Sequence, residues 1–204
     1  MKNFIHKIQI SILLLILIIG PQSWINADDI KDFEIEGMSV GDSLLDFFDK
    51  NLIENEIKDA AFYPNSKSFM ILSLIPKNIK QYENLNFHIK KNDKKYLIYS
   101  VKGMIYLEPD ECLKIKKDVE AEIQKIVPNS EIKNHTNNYN NNFGESKAYI
   151  SDYYIKDGVI RVFCTDWDKQ FINDKYNKNY SNTLSVNSTI DELRIWIQNE
   201  AYKK

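Results

Sequence analysis

Residues 147–165 read KAYISDYYIKDGVIRVFCT, and this stretch decides the fold. Two runs rich in β-branched and aromatic side chains, Lys147–Ile155 and Val159–Thr165, lie on either side of Lys156-Asp157-Gly158. Asp-Gly between two such runs is a strong hairpin signal, because the two central residues of the favoured tight turn need positive φ. The sequence therefore predicts two neighbouring antiparallel strands in this part of the chain.

Further strands are predicted from apolar runs and from the alternation of apolar with polar residues. In Leu85–Lys90, for example, every second residue is apolar. Gly103 interrupts the longest run and predicts a bulge or a bend. The asparagine-rich residues 134–142 have no apolar period and predict a mobile loop. The other predicted strands are Phe33–Glu36, Ser68–Ile75, Tyr96–Leu107 and Asn182–Val186.

Three helices are predicted from apolar residues at helical spacing. The clearest helix begins at Pro109, where the missing N–H is no loss, and it ends before Pro128. The caps expected for the other two helices are Asp42 or Ser43 and Ser188 or Thr189. The residues that the first helix is expected to bury are Leu44, Leu45, Phe48 and Leu52.

The predicted order is a strand, a helix, three strands, a helix, three strands and a helix. Strands joined by short hairpins favour an antiparallel sheet with helices packed on it, so the predicted fold class is α+β. We expect a single domain over residues 28–204, with about six or seven strands and three helices. Each half has a helix followed by three strands, which suggests a weak internal duplication without a residue-level repeat.

Residues 1–27 are typical of a signal peptide. A basic start precedes the mainly apolar run Ile8–Ile19, and Asn26-Ala27 offers a small residue for cleavage. A membrane-spanning helix needs about 20 apolar residues, so an uncleaved anchor is the weaker alternative. We therefore expect a mature chain that begins near Asp28 and is periplasmic or secreted, with membrane contact only if the leader is retained.

The only two cysteines are Cys112 and Cys164. Cys112 lies on the inward stripe of its predicted helix, and Cys164 alternates with Ile160 and Val162 on one apolar face of a strand. Two inward-facing cysteines in an exported chain favour a disulfide that ties the helix to the sheet. The alternative is a pair of separate buried thiols, since free cysteines also pack as small apolar residues.

The charge distribution argues against nucleic acid as a partner, because the formal net charge is −2 and acidic and basic residues are interleaved. After the leader, the only histidines are His88 and His135, and no Cys/His spacing typical of a metal site occurs. We expect His88 to face solvent, and we expect neither a metal nor a cofactor. The expected partner is an envelope protein or a glycan.

A saccharide site is an alternative that the aromatic residues offer. Tyr149 and Tyr153 share one face of a predicted strand, and Trp167 follows the next strand. Aromatic rings stack on sugars, and the amides of residues 140–142 can hydrogen-bond to sugar hydroxyl groups. These three aromatic residues form the predicted ligand-binding set.

Gly41-Asp42-Ser43-Leu44 resembles the motif that names the GDSL hydrolases, and the resemblance implies Ser43 as an acyl-transfer nucleophile. The family's later oxyanion blocks have no counterpart here. Its C-terminal Asp-x-x-His is also missing, since Leu85 and Ile132 stand three residues before the two histidines. A serine without a base is not an activated nucleophile. We therefore interpret the match as coincidental and predict no enzyme activity.

Residues 33–45, FEIEGMSVGDSLL, resemble the start of small exported proteins of unknown function from AT-rich bacteria. The resemblance covers only this short segment. The resemblance implies export and an α+β domain in which an early turn leads into a helix, and it implies no particular activity. The sequence thus predicts an exported, non-catalytic binding or accessory protein of the cell envelope.

Overall fold

One eight-stranded antiparallel sheet forms the protein, and the predicted α+β class is confirmed with slightly more strands than expected. The computed structural model describes residues 27–139, 141–173 and 180–203. The strands are β1 Ala61–Tyr63, β2 Ser66–Ser73, β3 Asn84–Lys90, β4 Ser100–Tyr106, β5 Glu131–Asn138, β6 Lys147–Ile155, β7 Gly158–Asp166 and β8 Thr183–Ile190. The α-helices are α1 Lys50–Glu56, α2 Pro109–Ile126, α3 Lys169–Asn173 and α4 Asp191–Trp196.

The sheet consists of two four-stranded meanders. Its order is β1-β2-β3-β4-β8-β7-β6-β5, so the last strand of each meander pairs with the last strand of the other. Helix α2 carries the chain from β4, at the centre of the sheet, to β5 at its far edge. The expected duplication is thus present in the topology, with four strands per half rather than three. The sequence pattern missed β1, which is short, and β5, which is rich in asparagine.

Helix α2 packs on one face of the sheet, which we call the first face, mainly against β7 and β8. The predicted disulfide is confirmed, since Cys112 and Cys164 are bonded and their Cα atoms lie 5.9 Å apart. The bond ties the first turn of α2 to the C-terminal part of β7. Apolar side chains of both meanders continue the core beneath this face; among them are Leu72, Phe87, Val101, Ile160, Val162 and Leu184.

The opposite face, which we call the second face, is polar along its middle. Because side chains alternate across a strand, Asn86 and Lys102 project away from the core, whereas their neighbours Phe87 and Val101 are buried in it. Helix α4 lies across one end of the second face, where Trp196 packs on an aromatic ring of β2 with ring centroids 4.8 Å apart. The sheet therefore has one apolar face and one polar face.

The mobile loop predicted at residues 134–142 is wrong over most of its length. Residues 134–138 belong to β5, an edge strand that pairs with β6 along its whole length. Asparagines fit this strand because it is almost fully exposed and needs no apolar alternation. The rest of the segment contains a 3₁₀ turn at Asn141–Phe143, and Asn140 lies outside the described residues.

The predicted strand Phe33–Glu36 does not join the sheet. Glu36 has a φ of 54°, which turns the chain, and its carboxylate accepts hydrogen bonds from three consecutive backbone N–H groups at 2.7–3.3 Å. The donors are the N–H groups of Lys80, Gln81 and Tyr82. Glu36, which the alternating pattern placed on the exposed side of a strand, therefore links two loops.

The predicted first helix is divided in two. Ser43 caps a 3₁₀ turn by accepting from the N–H of Leu45 at 3.1 Å, whereas α1 begins only at Lys50. The break shifts the helical phase, so Ile53 is buried and Leu52 is 45% exposed. Leu45 is likewise 42% exposed, against the prediction. The expected buried residues Leu44 and Phe48 are confirmed.

Strands β4 and β8 are more regular than predicted. Gly103 pairs normally with strands on both sides and forms no bulge; instead, a Cβ at this position would lie 2.4 Å from the ring of Tyr82. Packing therefore requires the glycine. Ser188 and Thr189 remain in β8 and do not cap the last helix, which begins at Asp191.

The predicted signal peptide lies outside the described residues, apart from Ala27. Ala27 is buried, and its backbone N–H donates to the carbonyl oxygen of Ile126 at 2.9 Å. Ala27, the last residue of the predicted leader, thus contacts the end of α2, and Asp29 in the predicted mature chain forms an ion pair at 2.8 Å with Lys156 in the β6–β7 turn. Within the described ranges, no helix is long and apolar enough to cross a membrane.

Candidate ligand-binding face of the sheet

A row of polar side chains crosses the second face from β2 to β5. Residues paired across neighbouring antiparallel strands project to the same side of a sheet. Six successive strand pairs place one polar residue opposite the next in this way. We call this line the polar row, and its members in strand order are Ser73, Asn86, Lys102, Asn187, Arg161, Asp152 and Lys133.

Two serine hydroxyl groups orient the amides in the middle of the row. Ser73 Oγ donates to Asn86 Oδ1, and Ser100 Oγ donates to Asn187 Oδ1, both at 2.6 Å. Each amide oxygen is therefore engaged, and each Nδ2 group is left without an acceptor among the described residues. With the Lys102 ammonium between them, these amides form a line of three hydrogen-bond donors, which we call the donor row.

Lys102 has no ionic partner within the described parts of the chain. Partial burial lowers the pKa of Lys102, because the charged ammonium loses solvation. Lys102 Nζ and the Nδ2 atoms of Asn86 and Asn187 are not fully shielded from solvent, so all three nitrogens remain accessible to a ligand. A half-buried lysine without a partner is unusual for a purely structural residue.

Arg161 extends the positive charge of the row, but it is paired. Its Nε and Nη2 atoms donate to the two carboxylate oxygens of Asp152 at 2.6 and 2.9 Å. This hydrogen bonding raises the pKa of Arg161. Asp152 is 2% exposed, whereas the Arg161 side chain is 40% exposed. The outer edge of the guanidinium group is therefore open to solvent beside Asn187.

His88 borders the donor row and does not face solvent as predicted. Its Nε2 lies 2.9 Å from the hydroxyl group of Tyr63, and its Nδ1 is shielded from solvent without a hydrogen-bond partner. Burial, with a smaller contribution from the charge of Lys102, lowers the pKa of His88 to about 4. The imidazole is therefore neutral at pH 7 and adds no charge to the row.

Aromatic clusters lie at the two ends of the second face. Where β8 leads into α4, Tyr63 packs against Trp196 and Tyr202 with ring centroids 5.2 and 5.6 Å apart. Where β5 and β7 finish, a second group forms, which we call the end cluster. Its members are Tyr139, Phe143, Trp167, Phe171 and Tyr180. The polar row crosses the sheet between these two aromatic groups.

The three aromatic residues predicted to bind a saccharide lie on different sides of the sheet. Tyr149 and Tyr153 project towards α2 on the first face, and Tyr153 is only 2% exposed. Trp167 belongs to the end cluster, where its ring packs at 25° to Tyr139 and at 32° to Phe171. The structure thus does not bring the predicted set together around one ligand.

A separate polar group on the first face is a structural contact. Lys116 donates to Ser151 Oγ at 2.6 Å and to Glu120 at 2.5 Å, and Ser151 also donates to Glu120. These three residues join α2 to β6 and line a shallow cleft beside Tyr149 and His135. The lysine nitrogen already donates to both neighbours, so it is not arranged to accept the proton of Ser151.

Ser43, the nucleophile implied by the GDSL resemblance, holds a turn. Its Oγ donates to the carbonyl oxygen of Lys95 at 2.7 Å and accepts from the N–H of Leu45. These backbone contacts attach the turn to the loop between β3 and β4. Neither histidine is a hydrogen-bond partner of this hydroxyl group: His88 bonds to Tyr63, and His135 lies on β5.

Sequence reasoning missed the donor row as a set. The alternation in β3 placed Asn86 and His88 on one face, which was a correct local signal. Lys102 and Asn187 meet only because β4 pairs with β8, and these strands are far apart in the chain. No local sequence pattern predicts that pairing, so the donor row can be recognised only in the folded sheet.

No group of three or more His, Cys, Asp or Glu side chains is arranged to hold a metal ion in the part of the chain that the structure describes. No family model, curated protein or solved structure matches this chain. The geometry of the site itself defines its chemistry. That geometry offers hydrogen-bond donors and one unpaired positive charge.

Proposed function

We propose that this protein is an exported, non-catalytic binding protein of the cell envelope and that the second face of its sheet is the binding surface. The donor row carries the proposal, because Asn86, Lys102 and Asn187 are adjacent, reach solvent and lack protein acceptors. Half-buried polar groups without partners cost free energy. A ligand that accepts hydrogen bonds from them offsets that cost.

Export to the periplasm or the medium is the second part of the proposal. The disulfide between Cys112 and Cys164 supports it, because structural disulfides persist mainly in oxidising compartments. The signal-peptide pattern of residues 1–27 supports it independently. Together these features favour a mature chain that folds and oxidises after it leaves the cytoplasm.

Cell fractionation followed by intact-mass measurement tests export. We expect an oxidised form that begins near Asp28, recovered from the periplasm or the medium. Recovery of the reduced, leader-bearing chain in the cytosol would contradict the proposal. Treatment with an alkylating agent before and after reduction distinguishes the bonded cysteines from free thiols.

Nuclear magnetic resonance of the labelled mature protein tests the binding surface. We expect the side-chain amide signals of Asn86 and Asn187 to shift when a small-molecule fraction of a cell-envelope extract is added. Asn134 is a matched control, because it is also polar and lies on a strand but projects to the first face. Absence of any shift, or shifts confined to the first face, would overturn the assignment of the second face.

Saccharide binding is the second candidate function, and the end cluster favours it. Tyr139 of this cluster interacts electrostatically with Arg161, so aromatic rings adjoin the polar row. The donor row also suits the oxygen atoms of sugars. Neutral glycan fragments should then change tryptophan fluorescence, and Trp167→Phe should remove the change while Trp196→Phe retains it. No change with any neutral fragment would exclude this candidate.

The esterase alternative is tested with Ser43→Ala. We expect neither the natural protein nor the variant to hydrolyse a generic ester, because the contacts of Ser43 supply no general base. Hydrolysis by the natural protein that disappears in Ser43→Ala would refute the non-catalytic proposal. A matched Ser68→Ala variant, at an exposed position on β2, controls for contaminating activity.

A further inference from the structure

We propose that the donor row binds the carboxylate group of a small acid that carries neighbouring hydroxyl or carbonyl oxygens, with Lys102 as the charge partner and the amides of Asn86 and Asn187 as flanking donors. The inference rests on the proposed binding function of the second face and names the chemistry of its ligand. Three observations carry it: the orientation of the amides, the charge balance of the row and the spacing of its donors.

The orientation of the amides selects a ligand that accepts hydrogen bonds. Both amide oxygens are engaged by serine hydroxyl groups, so the middle of the row presents only N–H groups. A lysine ammonium is likewise a donor and never an acceptor. A cationic ligand, or one rich in donors, would find no acceptor here. An oxygen-rich ligand matches all three groups.

The charge balance of the row selects a monoanion. Arg161 is neutralised by Asp152, and Lys133 at the sheet edge pairs with Glu131 at 3.0 Å. Lys102 is the one cation of the polar row that lacks a carboxylate partner, within the residues that the structure describes. A single negative charge therefore balances the row. A ligand with further negative charges would leave those charges without a free cation in the row, because Arg161 and Lys133 are already paired.

The spacing of the donors selects a ligand larger than a simple carboxylate. Neighbouring strands lie about 4.8 Å apart, so the amides on β3 and β8 are separated by about 10 Å with Lys102 on the strand between them. A carboxylate fills the centre but does not reach both amides. Hydroxyl or carbonyl oxygens on either side of the carboxylate complete the match, as they do in a sugar acid or near the end of a peptide.

Removing the charge separates this role from a structural one. Lys102→Met keeps the aliphatic stem and removes the unpaired ammonium, so the variant should fold at least as stably as the natural protein. If Lys102 instead stabilised the fold, Lys102→Met would lower the free energy of unfolding. Stability that is retained while binding is lost is therefore the signature expected of a ligand-binding lysine.

Isothermal titration calorimetry of the mature, oxidised protein at pH 7 tests the inference. The compounds are glucuronate, the dipeptide N-acetyl-alanyl-alanine, glucose and inorganic phosphate. We expect one of the two carboxylates to bind, and which one binds identifies a sugar acid or a peptide end as the source. Glucose and phosphate should bind at least about tenfold more weakly, because glucose has no charge and phosphate is too small to reach both amides.

Two lysine variants complete the experiment. Lys102→Met should weaken carboxylate binding at least about tenfold, whereas Lys117→Met should leave it unchanged, because Lys117 is exposed on α2 at the first face. Asn187→Asp is a second variant, and the added negative charge should abolish binding. Equal affinity of Lys102→Met and the natural protein, or equal affinity for glucose and glucuronate, would overturn the inference.

Failure of this inference is distinguishable from failure of the proposed function. If an envelope extract shifts the signals of Asn86 and Asn187 but no carboxylate binds, the ligand class is wrong and the binding surface stands. If neither the extract nor any of the four compounds affects these signals, both proposals are overturned.

Discussion

Two lysines on opposite faces of the same sheet have different surroundings. Lys116, on the first face, donates to Glu120 and Ser151 and joins α2 to β6. Lys102, on the second face, has no partner in the described residues, and partial burial lowers its pKa. The lysine of the first face is thus satisfied by protein partners, as in a structural interface, whereas the lysine of the second face is left unpaired in a way that suits a ligand.

The disulfide provides the largest expected effect on stability, and it lies on the first face, where it joins α2 to β7. Replacing both cysteines with alanine should lower the free energy of unfolding by about 4 kcal/mol, since the bond closes a loop between residues 52 positions apart. Urea unfolding measures this change. Addition of a reductant should produce a similar loss in the natural protein, and an unfolding curve that does not respond to the reductant would contradict the account.

A pH dependence is the next largest effect, and it comes from the second face. His88 has a pKa of about 4 in the folded protein and about 6.5 in an unfolded chain. Between these values the unfolded chain binds a proton that the folded chain does not, so stability is complete above about pH 6.5 and falls by about 3 kcal/mol towards pH 4.

His88→Gln isolates this contribution from that of the carboxylates, which also titrate at low pH. Urea unfolding from pH 7 to pH 4 should show a shallower loss of stability in His88→Gln than in the natural protein. His135→Gln, on the exposed edge strand β5, is the matched control and should follow the natural curve. Parallel curves for the natural protein and His88→Gln would show that His88 titrates normally.

Substitutions of Lys116 and Lys102 give the clearest contrast between the two faces, although the expected changes in stability are smaller than those for the disulfide and for His88. Lys116→Met should lower the free energy of unfolding by about 2 kcal/mol, because it removes the ammonium that donates to both Glu120 and Ser151 and leaves the Glu120 carboxylate without its ionic partner. Lys102→Met should leave the free energy of unfolding unchanged or raise it slightly. Equal destabilisation by both substitutions would mean that Lys102 has a structural partner and would remove the distinction between the faces.

The parts of the fold that follow local rules were predictable from sequence. The hairpin around Asp157-Gly158, the helix from Pro109 to Ile126 and the disulfide all depend on residues close in the chain or on simple alternation. Strand β5 was missed because an exposed edge strand needs no apolar pattern. The turn at Glu36 was missed because the carboxylate of this residue bonds to a distant loop.

The candidate site was predictable only in fragments. Period-two alternation correctly placed Asn86 and His88 on one face of β3. The pairing of β4 with β8, which brings Lys102 beside Asn187, depends on how the two meanders associate. The orientation of the amides depends on Ser73 and Ser100 across strand boundaries. Tertiary contacts of this kind leave no short-range trace in a single sequence.

The most direct test of the central claim is the pKa of the Lys102 ammonium, measured by nuclear magnetic resonance of labelled lysine side chains with and without glucuronate or N-acetyl-alanyl-alanine. We predict a pKa below the ordinary lysine value in the free protein and a higher pKa when the carboxylate is bound, because the bound anion stabilises the charged form. An ordinary pKa that neither carboxylate changes would contradict the claim that Lys102 is an unpaired cation kept for an acidic ligand.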